Sequence, residues 1–353
     1  MRQRPVKFGA TPGCADSEPE TAWWPAGPSI LEAAGECQGN PATVLRALAR
    51  ATVHPPVPGQ GSTVQLWEFL ASLGAIDLVA ARSVEPHFDA AAILGEAGKP
   101  WQPGQTWGVY AAEGPGSTLE ATTDDHGQWE LNGIKPWCSL AGQISHALIS
   151  AHTAQGRRLF TVQLDQPGIQ VETGNWISRG MARLPSRSVR FASVQAKPVG
   201  PAGWYLERAG FAVGGAGVAA CWFGGAIGIF RHLLESSTKR EPDQLALAWL
   251  GEADRLLAGG AQVLHHAAGL ADSGALDAMH AARVRGHIAQ LCGRVLQISA
   301  EATGPGPLAT DENHARRVAD LGIYVRQHHG ARDDAALGRM VYQQHAQAGA
   351  RPW

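Results

Sequence analysis

Apolar and polar positions divide the chain into three stretches of different period. Residues 1 to about 60 are rich in proline, glycine and small side chains, with weak periodicity only at 30–34 and 42–51. That pattern predicts one or two short helices in much coil. From 63 to 95 the period becomes helical: Leu66, Phe69, Leu70 and Leu73 share one stripe. Ile76, Leu78 and Val79 begin a second stripe that Ala90, Ile93 and Leu94 complete, before Pro100 and Pro103 end the run.

Residues 106–200 read instead as short β segments between turns, at 107–112, 128–131, 147–151, 159–164, 169–171 and 189–191. Such regular spacing predicts a small barrel or sandwich. Within it, Trp129 and Leu131 alternate with polar neighbours, and Asn132-Gly133 tolerates positive φ. A hairpin is expected to turn there and return through Ile134, Lys135 and Trp137, leaving Trp137 and Ser139 at the end of its second strand. From 201 onward helices return. One starts with Pro242 at its first position and carries Leu245, Leu247, Leu250, Leu256 and Leu257; others are expected over 276–301 and 312–344. The expected class is α+β, with a shortened helical domain at 1–105, a β domain at 106–200 and a helical bundle at 201–353.

Composition narrows the function. The 353 residues carry a net charge of −2, so no overall field draws the chain to nucleic acid or an anionic membrane. Cys14, Cys37, Cys138, Cys221 and Cys292 are scattered without C-x-x-C spacing. Neither a metal site nor a disulfide framework is expected, and a reducing cytoplasm fits best. The basic N-terminus leads into no apolar segment, so no signal peptide is expected. Residues 211–230 approach membrane-spanning length, yet their six glycines, flanked by Arg208 and Arg231, fit a tightly packed helix better than a membrane span.

Two motifs carry the chemistry. Glu113-Gly-Pro-Gly-Ser117 is followed by Gly127-Gln-Trp-Glu-Leu-Asn-Gly-Ile-Lys-Pro-Trp-Cys-Ser139. In that order the pair resembles the middle domain of the acyl-CoA dehydrogenase family, where a Thr-Glu-x-x-x-Gly-Ser and a Trp-x-Thr/Ser segment cradle the isoalloxazine of FAD. Gly180-Met-Ala-Arg183-Leu-Pro-Ser186 with Val189-Arg-Phe191-Ala-Ser-Val194 resembles a further strand pair of that family. Asp77–Arg82 and Glu85-Pro-His87 resemble the second half of its N-terminal helical domain. The resemblance spans roughly residues 63–345 and implies an acyl-CoA dehydrogenase fold: N-terminal helices, a middle β-barrel and a C-terminal four-helix bundle. It implies FAD, with Tyr110, Ala112, Glu113 and Ser117 among its contacts: backbone N–H groups around Ala112 and Ser117 would bond the flavin pyrimidine edge and the substrate carbonyl region, Trp137 would pack on the ring and the Ser139 hydroxyl would reach N5. It also implies an oxidoreductase acting on a small molecule, an acyl thioester, in a homodimer or homotetramer that completes the FAD site.

This chain departs from the pattern in three places. The family's Arg-x-x-Phe-Gly reads Ser237-Thr-Lys-Arg240-Glu-Pro-Asp-Gln, where Lys239 or Arg240 could supply charge. The family's Gln-x-x-Gly-Gly-x-Gly reads Glu301-Ala-Thr-Gly304-Pro-Gly306; Gly304 remains a candidate FAD contact, but Pro305 removes a backbone donor. The usual catalytic glutamate is replaced in Asp320-Leu-Gly-Ile-Tyr-Val-Arg-Gln-His328-His329-Gly330. His329, with His328 beside it, is the candidate base, since imidazole accepts a proton near neutral pH. Glu207 is the candidate for a base moved to an earlier helix. Alternatives are a flavin monooxygenase of the same fold and a non-catalytic member that only binds.

Other signals fall away. Gly215-Ala-Gly217-Val-Ala-Ala220 matches a dinucleotide pattern but has no preceding strand, so close helix packing is the better reading. His265, His266, His280 and His287 form no metal-ligand spacing. Asp124, Asp125 and His126 read as solvated turn residues, and Ser117 and Ser186 lack the elbow of a serine hydrolase.

Overall fold

A computed structural model describes residues 4–9, 23–174, 176–238 and 241–348. Lys239, Arg240 and Cys14 lie outside the described residues. Two short helices, α1 (Gly27–Gly35) and α2 (Ala42–Arg50), precede α3 (Thr63–Ile76) and α4 (Leu78–Glu96). Asp77 divides the last two: its Oδ1 accepts from the Val79 and Ala80 amides at 2.9 and 3.1 Å, capping α4, while Oδ2 accepts from Gly39.

Among the described residues seven strands follow: β1 (Trp107–Tyr110), β2 (Leu119–Thr123), β3 (Trp129–Ser139), β4 (His146–Thr153), β5 (Gly156–Gln163), β6 (Ile169–Val171) and β7 (Ser186–Val199). Pairing runs β4-β2-β3-β7-β5 and returns to β4, with β1 added on β4 and β6 on β7. The ring is narrowest between β2 and β4, which share the single pair Glu120–His152.

The hairpin expected at Asn132-Gly133 is absent, because β3 runs straight through that dipeptide. Gly133, at φ 122°, forms a bulge where a Cβ would overlap the Thr118 carbonyl, and Asn132 Oδ1 accepts from the Ser193 amide at 2.8 Å. The turn lies at 124–127, where Asp124 Oδ1 accepts from the His126 and Gln128 amides and Gly127 takes φ 74°. It joins β3 to β2, a strand the sequence pattern did not expose.

Beyond the sheet lie α5 (Trp204–Glu207), α6 (Gly210–Thr238), α7 (Gln244–Asp272), α8 (Ala278–Thr303), α9 (Gly306–Thr310), α10 (Glu312–Tyr324) and α11 (Ala331–Ala348). Pro242 precedes α7 rather than opening it; Asp243 caps that helix through the Ala246 amide at 2.9 Å. The helix expected over 312–344 is broken after Tyr324 by a 3₁₀ turn, Val325–Gln327, and by Gly330 at φ 56°.

The 211–230 stretch belongs to α6, which is long and apolar enough to cross a membrane, but 72% of its most apolar window is buried within the protein. Its glycines bring α6 into backbone contact with α3: a Cβ at Gly224 would overlap the Ala71 carbonyl, and one at Gly74 the Cys221 carbonyl. The dinucleotide-like glycines Gly215 and Gly217 sit inside this helix. One apolar cluster joins α3, α4, α6, α8 and the strands, so the core continues across all three stretches of sequence.

Candidate functional site

The β side of the site forms where β1 and β3 end together. Tyr110 is buried and its hydroxyl donates to the Ser139 carbonyl at 2.9 Å. Past Tyr110, residues 111–117 turn back on themselves, with the Ser117 amide donating to the Gly114 carbonyl at 3.3 Å. A Cβ on Gly114 would lie 3.3 Å from Pro136 and 3.9 Å from Trp137 Nε1, so the turn and the end of β3 are in contact. Trp137 holds φ 61° and is 57% exposed, a large aromatic side chain left mostly open. Ala112 and Glu113 are exposed, and Glu113 pairs with His152 at 3.0 Å and Arg157 at 3.3 Å.

Two cations brace this turn from inside the sheet. Buried Lys135 donates to the Ser150 carbonyl and hydroxyl at 2.8 and 2.9 Å, and Arg157 donates to the same hydroxyl and to the Ala111 carbonyl. Burial, reinforced by Arg157, lowers the Lys135 pKa to about 8.

The helical side was not singled out by sequence reasoning. Between Leu78 and Leu94 every residue of α4 is buried except Arg82, Glu85, Pro86 and Asp89. Arg82, Glu85 and Asp89 therefore form a polar stripe, at i, i+3 and i+7, on an otherwise apolar helix. Across from it stand Arg208, the glycines at the start of α6, Arg285 of α8 and Tyr324 of α10. Arg208 bonds Glu96 at 2.8 Å and Asp89 at 3.5 Å. Gly214 leaves the space that Asp89 occupies, since a Cβ there would lie 2.8 Å from its carboxylate. Arg285 donates to the Gly215 and Gln327 carbonyls and lies 4.9 Å above the Trp222 ring.

Arg82 joins the two sides. Its guanidinium pairs with Glu85 at 3.3 Å, lies 5.9 Å from the Tyr324 ring centre and donates to Ser139 Oγ at 3.4 Å. Ser139 Oγ also meets Ser186 Oγ at 2.7 Å. Glu85 is 15% exposed, and burial raises its pKa to about 7 despite the opposing pull of Arg82. A carboxyl poised near neutrality, beside a cation that itself reaches the Ser139 hydroxyl, can exchange protons with a bound molecule.

The sequence-derived residues thus separate. Tyr110, Ala112, Glu113, Ser117, Trp137 and Ser139 come together at one end of the sheet. His328 and His329 lie between Gln327 and α11: His329 is 59% exposed and bonds Asp333 at 3.3 Å, while His328 is nearly buried against Gly286. They face a groove lined also by His266, Arg283, His287 and Leu270. Glu207, on α5, turns its carboxylate back toward Gly203. Gly304 caps α8 at φ 61°.

No protein-family model matches the sequence, and no curated protein matches it either. Solved structures do. KijD3 in complex with dTDP superposes with a TM-score of 0.76 at 18% identity, covering 90% of this chain and 94% of that one. TdsC from Paenibacillus sp. A11-2, with FMN and indole, gives 0.78 at 16% identity over 93% and 97%. Butyryl-CoA dehydrogenase from Megasphaera elsdenii gives 0.76 at 16% identity over 93% and 100%. The chain has the acyl-CoA dehydrogenase fold.

Proposed function

We propose that this chain is a soluble, cytoplasmic flavin-dependent oxidoreductase. Its flavin ring lies on Trp137, with the turn at 112–117 along the pyrimidine edge and Ser139 near the reactive edge. The observation that carries this reading is the contact between Arg82 and Ser139 at 3.4 Å, which links the strand end bearing the exposed indole to a largely enclosed carboxyl whose pKa is raised to about 7. The residues present fit the group: an uncovered indole offers a stacking face, and backbone amides of a tight turn offer donors. Bound flavin would supply two-electron chemistry, and the chain's own residues orient the ring and move protons at its edge.

FMN is favoured over FAD. Pro305 removes a donor from the segment that the resemblance assigns to the dinucleotide, and KijD3 and TdsC have both been solved with FMN. The substrate is a small polar molecule rather than a plain acyl thioester. An alkyl chain laid along Arg82, Glu85, Asp89 and Arg285 would strip water from charged groups and return no hydrogen bonds. This reading favours the monooxygenase or oxidase alternative over acyl-CoA dehydrogenation. The domain limits 1–105, 106–200 and 201–353, and a homodimer or homotetramer, belong to the same proposal. The test is to release and identify the flavin from purified protein: FMN supports the reading in full, FAD removes the preference for the mononucleotide, and failure to bind either contradicts it.

A further inference from the structure

The polar stripe on α4 has a use that neither the resemblance nor the flavin site assigns. We infer that Glu85 is the acid–base residue of this site, exchanging a proton with the molecule that reacts at the flavin edge, with Arg82 as its positioning residue. The inference rests on the flavin reading above.

Geometry supports it on three counts. Glu85 follows Arg82 by one turn of α4, so Arg82 places it one side chain behind Ser139. Its side chain is enclosed yet keeps 15% exposure, so it lies at the boundary of the core rather than within it. Arg82 spends its guanidinium on Glu85 and Ser139, and Arg285 spends its own on the Gly215 and Gln327 carbonyls. Neither cation therefore locks both carboxylate oxygens in a two-pronged ion pair. The groups facing Glu85 are Arg82 and Asp89 on its own helix, Arg285 of α8, Tyr324 of α10, Cys221 of α6 and Tyr205 of α5. The cations hold Glu85 ionised and Asp89 opposes them, while burial dominates.

The simplest balanced step needs no identified substrate. When anionic reduced flavin, which carries a single exchangeable proton, is oxidised by dioxygen, two electrons and that proton would come from the flavin. The Glu85 carboxylic acid gives the second proton, hydrogen peroxide leaves, and a solvent proton restores the Glu85 acid. An organic substrate that loses two electrons and two hydrogens would give one proton to the Glu85 carboxylate and its hydride to oxidised flavin, leaving the Glu85 carboxylic acid and the oxidised substrate.

In flavin-free protein, difference infrared spectroscopy should show a carboxyl titrating near 7 in wild type and missing in Glu85→Gln, and its persistence in that variant overturns the inference. FMN-loaded protein is then photoreduced anaerobically and mixed with oxygenated buffer across pH 5–9. In wild type the oxidation rate should fall about tenfold per pH unit above a midpoint near 7, as a single general acid deprotonates. Glu85→Gln should be slow and flat with pH, and Glu85→Asp should restore a falling profile with a shifted midpoint. A Glu85→Gln profile that superposes on wild type overturns the inference. If that variant sheds FMN, the Glu85→Asp profile decides, and a midpoint identical to wild type overturns the inference. Wild-type protein that retains no flavin defeats the underlying reading instead, which is a separate and visible outcome.

Discussion

Arg82 of α4 and Ser139 of β3, 57 residues apart in sequence, meet at 3.4 Å. Through them a helix that is otherwise core becomes one wall of a site whose other wall is the end of the sheet. Arg82 has a second effect: its charge holds the Glu85 pKa below where burial alone would put it. In the folded protein that pKa rises from 4.5 to about 7. The stability linked to Glu85 is therefore fully present below about 4.5 and lost as pH rises through 7. Arg82→Gln should extend this loss to higher pH, while Glu85→Gln should remove it. Melting temperatures of the flavin-free protein between pH 4 and 9 check both; identical slopes for wild type and Glu85→Gln would show that Glu85 titrates normally.

The backbone contact between α3 and α6 makes a sharp pair of stability predictions. Gly224→Ala forces a methyl into the Ala71 carbonyl and should cost about 1–3 kcal/mol, the usual scale of core overpacking. Gly251→Ala sits on an exposed turn of α7 with nothing nearby, and should stabilise by up to about 1 kcal/mol through helix propensity. Denaturant unfolding of the two variants should move in opposite directions.

His329 was the sequence-derived base, and its position makes a direct contrast with Glu85 possible. At 59% exposure and paired with Asp333, its imidazole is hydrated and held by a carboxylate. His329→Ala should leave the pH profile of flavin oxidation in place, with a loss well short of the ~10²-fold expected for a positioned acid–base group. A flat profile in His329→Ala would return the role to the histidine.

Leu245 and Leu247, 64% and 55% exposed on the first turn of α7, are large apolar side chains without cover in the single chain. The oligomer implied by the resemblance would bury them. Light scattering should give at least twice the 37.2 kDa chain mass for wild type, and Leu245→Glu with Leu247→Glu should shift it toward one chain. A wild-type monomer at micromolar concentration would contradict this.

Much of the fold was legible because its signal is periodic. Helical spacing over 63–95 and the alternation after residue 106 emerge as α3, α4 and the sheet. Asn132-Gly133 misled because the positive φ that favours a tight turn equally favours a bulge, and only the Thr118 carbonyl decides between them. The strand Leu119–Thr123 was hidden because its core-facing residues are just Leu119 and Ala121. The placement of Trp137 and Ser139 at a strand end was legible locally, since the segments that hold them are near in sequence. Arg82 and Glu85 could not, because charges at i and i+3 look like a solvated helix face. The signal that could have found them is the ring of apolar neighbours: a helix buried on nearly all sides has no solvated face for a charged stripe.

Binding tests most directly whether a flavin ring rests on Trp137 beside Ser139. Protein incubated with excess FMN and passed through gel filtration should retain flavin, with quenching of tryptophan fluorescence. Trp137→Ala should weaken binding by roughly 1–3 kcal/mol, the worth of a large aromatic contact, without loss of melting temperature. Wild type emerging free of FMN and of FAD, or Trp137→Ala binding as tightly as wild type, would contradict it.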